Sequence, residues 1–79
     1  MDMIIEVWFN DKKVKTSQTI EDTRDFVYEL AKSKKSDIPY YRYWENNKGD
    51  IVVDYGSHID FIYIKGVNIN VYLGEVFNF

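Results

Sequence analysis

The chain has no cysteine, which excludes disulfides and thiolate metal sites together. A single histidine, His58, leaves a zinc site short of its usual ligands. The four glycines form no phosphate-cradling loop. No apolar run approaches a membrane span or the core of a signal peptide, so a cytoplasmic protein with no membrane partner is expected. Alanine, proline and arginine are nearly missing, confined to Ala31, Pro39, Arg24 and Arg42, while Ile, Lys, Asn, Tyr and Phe abound. That bias follows AT-rich codons and points to a low-GC bacterium, or to a phage or mobile element living in one. Strong charge is missing too. A net charge of −3 argues against a general nucleic-acid binder, which is usually basic, and falls short of the acidic surface of a DNA mimic. No cofactor, metal or catalytic motif is expected.

What is present is apolar and aromatic. Seventy-nine residues are expected to form one domain, 1–79, near the lower limit for a self-sufficient core. Without disulfides or metal, stability must come from dense packing or self-association. Contents of 46% apolar and 18% aromatic residues can support either.

Met3 to Phe9 alternates as a strand, with Met3, Ile5, Val7 and Phe9 on one face and Ile4, Glu6 and Trp8 on the other. Asn10-Asp11 is turn chemistry, and Lys12 to Thr16 reads as an edge strand guarded by lysines. Thr19 can cap a helix whose stripe is Ile20, Thr23, Val27, Leu30 and Ala31, widened by Phe26. Lysines 32, 34 and 35 crowd its last turn, and Pro39 ends it. Asn46-Asn47-Lys48-Gly49 is a turn between strands Tyr40–Glu45 and Asp50–Tyr55. A second hairpin is read from Phe61–Ile64 and Val67–Leu73 across Lys65-Gly66, followed by an apolar tail, Glu75–Phe79. The expected class is therefore α+β: a single helix on one face of a largely antiparallel sheet, in the order β-β-α-β-β-β-β.

The opening strand–strand–helix order resembles the β-grasp, or ubiquitin-like, fold over roughly the first half of the chain. Modifiers and sulfur carriers of that family end in Gly-Gly, where this chain ends Val76-Phe77-Asn78-Phe79, and its ferredoxin-like members need cysteines. The use that the resemblance still implies is protein binding through an exposed sheet face.

Tyr40 to Glu45 puts four aromatics and a guanidinium into six residues. A strand turns successive side chains to opposite faces, so one ring set packs on the core and the other meets something else. Pairing Asn46 with Asp50 places Trp44 opposite Val52 and Arg42 opposite Asp54. Tyr40, Arg42, Trp44, Val52 and Asp54 then point outward, and Tyr41, Tyr43, Ile51, Val53 and Tyr55 inward. The second hairpin adds Phe61, Tyr63 and Tyr72 to the outer face and Ile62, Ile64, Val67, Ile69 and Val71 to the inner. The candidate partner-binding residues are Trp8, Tyr40, Arg42, Trp44, Val52, Asp54, Phe61 and Tyr63, a set rich in hot-spot types. The tail, folded over this face, would cover part of it.

Two other constellations stand out. Lys12 and Lys13 at the first turn, with Lys34 and Lys35 at the helix end, form a candidate phosphate contact, although lysine at an edge strand and at a helix C-terminus has structural uses as well. Ser57-His58-Ile59-Asp60 has the letters of a hydrolase triad, but adjacent residues cannot supply its geometry, and His58 reads as a loop residue.

The expected function is a non-enzymatic protein–protein interaction module. Small size, codon bias and the lack of chemistry suggest an accessory protein of a phage or mobile element that occludes a host factor, in the manner of an inhibitor of restriction or CRISPR defence. The alternative is a small homodimeric protein that stacks single-stranded nucleic acid on its rings, which Glu45, Asp50 and Asp54 oppose. A homodimer burying the same face is a further reading.

Overall fold

The computed structural model describes residues 4–34 and 41–77. Its elements are β1 (Ile5–Phe9), β2 (Lys12–Ser17), α1 (Ile20–Lys34), β3 (Arg42–Glu45), β4 (Ile51–Asp54), β5 (Ile62–Lys65) and α2 (Ile69–Phe77). The five strands form one antiparallel sheet in the order β2-β1-β5-β4-β3, so the class is α+β.

Register fixes which side chains share a face. Val7 pairs with Ile64 and Ile64 with Ile51; Phe9 pairs with Ile62 and Ile62 with Val53. These rows put the aliphatic residues on one side, where Ile5, Val7, Ile51, Val53, Ile62 and Ile64 are fully buried. Val27 and Ala31 of α1 and Tyr72 of α2 close over them in the same core. Both helices therefore cover one face, and α2 packs against α1. The α1 start is local chemistry: Thr19 Oγ1 accepts the Asp22 amide at 3.0 Å. The β3–β4 turn is likewise held by Asn46, whose Oδ1 accepts the Lys48 and Asp50 amides at 3.0 and 2.9 Å. The first-hairpin pairing of Arg42 with Asp54 and Trp44 with Val52 matches the expected register.

The last element differs from the expectation. Residues 67–73 do not return as a strand; the chain has a second helix, and the order ends in α rather than β. Both edges of β5 are taken, by β1 and β4, so no ladder is open to a following hairpin strand. Asn68 instead caps α2, its Oδ1 accepting the Asn70 amide at 2.8 Å. Ile69, Tyr72, Leu73 and Val76 then recur at helical spacing on the core side. This inverts two assignments. Tyr72, expected on the outer face, is 1% exposed, and Val71, expected inside, is 52% exposed. The tail up to Val76 lies on the helical side, away from the outer sheet face.

Gly66 makes the β5–α2 junction possible. Its φ is 98°, and a Cβ there would run into the carbonyl oxygen of Ile4. Gly74 is the opposite case, a helical residue with open space around the position of a Cβ. Gly66→Ala is expected to lose more than about 2 kcal/mol in urea unfolding, whereas Gly74→Ala is expected to gain about 0.5–1 kcal/mol.

The ring of Tyr43 in β3 meets that of Tyr72 in α2, with centroids 6.3 Å apart. Burial, with Tyr41 adding to it, pushes the Tyr43 phenol up to about 12, and burial pushes Tyr72 further still. The fold favours the neutral phenols. Their contribution is therefore complete below the unfolded tyrosine value near 10 and is lost as pH rises through the folded values. An absorbance titration at the phenolate band should show these two tyrosines ionising only as the chain unfolds. Tyr43→Phe should move alkaline unfolding to higher pH.

Candidate functional site

The face opposite the helices is built by the alternate residues of the same strands. Cross-strand pairs Lys13–Trp8, Trp8–Tyr63, Tyr63–Val52 and Val52–Trp44 form a continuous row across all five strands. Lys13 belongs to that row because β2 shifts register between Val7 and Trp8, leaving Val14 unpaired between Lys13 and Lys15. Val52 is 3% exposed although no helix lies over it, because Tyr63 and Trp44 flank it on the neighbouring strands. Phe61 enters from the residue before β5, its ring edge-on to Trp44 at 5.7 Å. Trp8, Tyr63 and Phe61 are half-buried, and Trp44 is 37% exposed.

A polar row runs beside the aromatic one. The Trp8 indole N–H donates to Glu6 Oε1 at 3.0 Å, and Lys13 Nζ lies 3.8 Å from Glu6 Oε2. Lys65, opposite Glu6, holds its ammonium 4.9 Å from the Trp8 ring centre and 3.4 Å from Asp50 Oδ2. Exposed pairs of this kind contribute little to stability, roughly 0–1 kcal/mol each. Their effect is to fix the indole and leave its neighbours satisfied before anything binds. Arg42 behaves similarly, its guanidinium lying over the Trp44 ring at 5.7 Å. A groove of about 360 Å³ crosses this face, floored by Trp8 and Tyr63 and rimmed by Asn10, Asp11, Asn46, Lys48, Asp50 and Lys65. A larger concavity, about 580 Å³, opens between β2 and α1; of its ionic side chains, Asp25 pairs with Arg24 and Lys15 lies over the Phe26 ring.

Asp54 differs from the rest of the candidate set. It sits on the outer face by register and is 3% exposed, with its carboxylate turned into the loop after β4. Oδ1 accepts the amides of Gly56 and His58 at 2.8 and 3.3 Å, and Oδ2 meets His58 Nδ1 at 2.9 Å. Burial raises its pKa, but the two amide bonds, the imidazole bond and the charge of a protonated His58 together outweigh burial and leave it lowered. Asp54 is thus a loop organiser. Of the triad letters, Ser57 Oγ bonds Asp60 rather than His58.

The basic residues divide between the faces. Lys34 reaches the β1–β2 end of the sheet, its ammonium 4.6 Å from the Phe9 ring, and Phe9 pairs with Lys12; Lys13 lies on the other face beside Glu6. Tyr40 and Lys35, named as candidates above, lie outside the described residues. Among the described residues no group of three or more His, Cys, Asp or Glu is placed to hold a metal ion, and no helix is long and apolar enough to cross a membrane.

No protein-family model matches the chain, no curated protein is similar to it, and no solved structure matches its fold. The site is therefore defined by its geometry. Sequence parity reached its rings and put Glu6 on the side of Trp8; it missed Asp50 and Lys65, and the meeting of Glu6 and Asp50 at Lys65 depends on the pairing of β5 with β1 and with β4. The only local signal was the polar residues alternating with apolar ones in β1 and β5.

Asp54 gives a test. Its contribution is present above the ordinary aspartate value of about 3.9 and is lost as pH falls through its lower folded value. Asp54→Asn should destabilise the fold by about 1–3 kcal/mol at neutral pH in urea unfolding. It should also flatten the loss of stability that the unmodified chain shows below about pH 4.

Proposed function

We propose that the protein is a non-enzymatic interaction module that docks a protein partner on the open sheet face. The observation that carries this is the row Trp8–Tyr63–Val52–Trp44, in register on a face that neither helix covers. Sheets of this kind usually leave polar residues toward water; a band of rings there is a surface of the type that marks an interface. Glu6, Lys13, Asp50 and Lys65 beside it are already paired within the chain, so a partner can cover the rings without stranding these four ions. Trp, Tyr and Arg are the residues that most often dominate binding energy. Small size and AT-rich usage favour a phage or mobile-element product that occludes a host defence factor in the host cytoplasm. Base stacking is less well served, because cations of the chain itself lie over the Trp8 and Trp44 rings.

The test is affinity capture from host cells followed by titration. A protein retained by the unmodified chain should bind the Trp8→Ala, Trp44→Ala double variant at least about 30-fold more weakly, with the amide spectrum of the variant unchanged. Equal binding by a folded double variant would remove the sheet face from the function.

A further inference from the structure

The connection between β4 and β5, residues 55–61, is more ordered than joining two neighbouring antiparallel strands requires, since a two-residue turn suffices. Asp54 holds its first half through Gly56 and His58. Ser57 Oγ holds the second half, donating to the Asp60 carbonyl at 2.6 Å and accepting the Ile59 and Asp60 amides at 3.3 and 2.8 Å. Asn10 bolts the loop to the β1–β2 turn. Its Nδ2 donates to Asp60 Oδ1 at 3.1 Å, its Oδ1 accepts the Phe61 amide at 3.0 Å, and its own amide donates to the Phe61 carbonyl at 3.0 Å. Tyr55 anchors one end in the core beside Phe9, and Phe61 anchors the other against Trp44.

The backbone is strained where the network holds it. Among the described residues, the two non-glycine residues with positive φ are Asn10 at 55° and His58 at 66°, and both belong to this assembly. Such conformations cost on the order of 1 kcal/mol and persist only where the surroundings impose them. What the assembly holds up is Ile59. At 79% exposed, it is the most exposed large hydrophobic among the described residues. A solitary exposed isoleucine is ordinary in itself. On a seat tied down at this many points, it is a convex apolar tip that would lose little freedom on insertion.

We propose that loop 55–61 is a preformed docking knob that seats Ile59 in an apolar pocket of a protein partner. The tip stands beside the Trp44–Phe61 end of the open face, so the inference rests on the function proposed above for which partner is met. Its surroundings choose protein over lipid or nucleic acid. Asp60 flanks the tip, and a chain of net charge −3 is repelled by anionic headgroups and by phosphates. The Asp54 carboxylate can only accept, so Nδ1 of His58 carries the hydrogen in their bond, which fixes the ring beside the tip. The matching pocket is apolar at its floor.

Site-specific photocrosslinking in the cells that express the protein naturally separates the possibilities. Three chains are compared: Ile59→p-benzoylphenylalanine, Trp44→p-benzoylphenylalanine, and Val71→p-benzoylphenylalanine at an exposed helical position. The first two should label the same protein and the third should not. Excess unmodified chain should suppress labelling from position 59 at least about tenfold more effectively than excess Ile59→Asp. Labelling from 44 without labelling from 59, or equal competition by Ile59→Asp, overturns the knob and leaves the sheet face standing. Labelling from 59 alone keeps the knob and rejects the sheet face, and labelling from neither rejects both.

Discussion

The position of β5 governs the molecule. It is the central strand, with β1 on one side and β4 on the other, and both pairings are antiparallel. Ile62 and Ile64 on its inner side align the buried aliphatics of β1 and β4, and Tyr63 on its outer side aligns Trp8 with Val52. Because side chains alternate with period two, a slip of one residue in either pairing would send rings into the core and aliphatics to water. The occupied edges of β5 also leave no ladder for the chain that follows, and that chain turns at Gly66 into α2. The helical lid, the bare outer face and the seat of the 55–61 loop all follow from this one placement.

A single helix could not cover a five-stranded sheet on one side, and α2 completes the cover beside α1. The consequence is asymmetry. One face is sealed by two helices and the other keeps rings at its surface, tied by contacts within the chain: indole to Glu6, ammonium over Trp8, guanidinium over Trp44 and Phe61 edge-on to Trp44. Individually these contacts are weak. Together they fix ring orientations in advance, which lowers the entropy lost when a partner covers them.

The parts of this arrangement that depend on short-range chemistry were legible in the sequence. Asn46 and the turn it holds set the Arg42–Asp54 and Trp44–Val52 pairs, and Thr19 set the start of α1. The stretch 67–73 was not, because it satisfies two periods. Val67, Ile69 and Val71 alternate like a strand, while Ile69, Tyr72, Leu73 and Val76 recur like a helix. The choice was made by the absence of a free edge and by the Asn68 cap, the first of which is a tertiary fact. The same limit explains the site. Parity could place Trp8, Trp44 and Tyr63 on one face, but the alignment of Glu6 with Lys65 requires knowing that β1 pairs with β5. Asp54 was placed on the correct face by the same parity, and its burial and loop bonds were beyond it.

Hydroxyl-radical footprinting of the free chain and of its complex tests the central claim, that the outer sheet face is open and serves as the docking surface. Trp8, Trp44 and Tyr63 should be oxidised in the free protein and protected in the complex. Tyr28, 48% exposed on α1 at the opposite side, should react alike in both. Tryptophans already protected in the free chain, or protection falling on Tyr28 while the tryptophans stay reactive, would contradict the account.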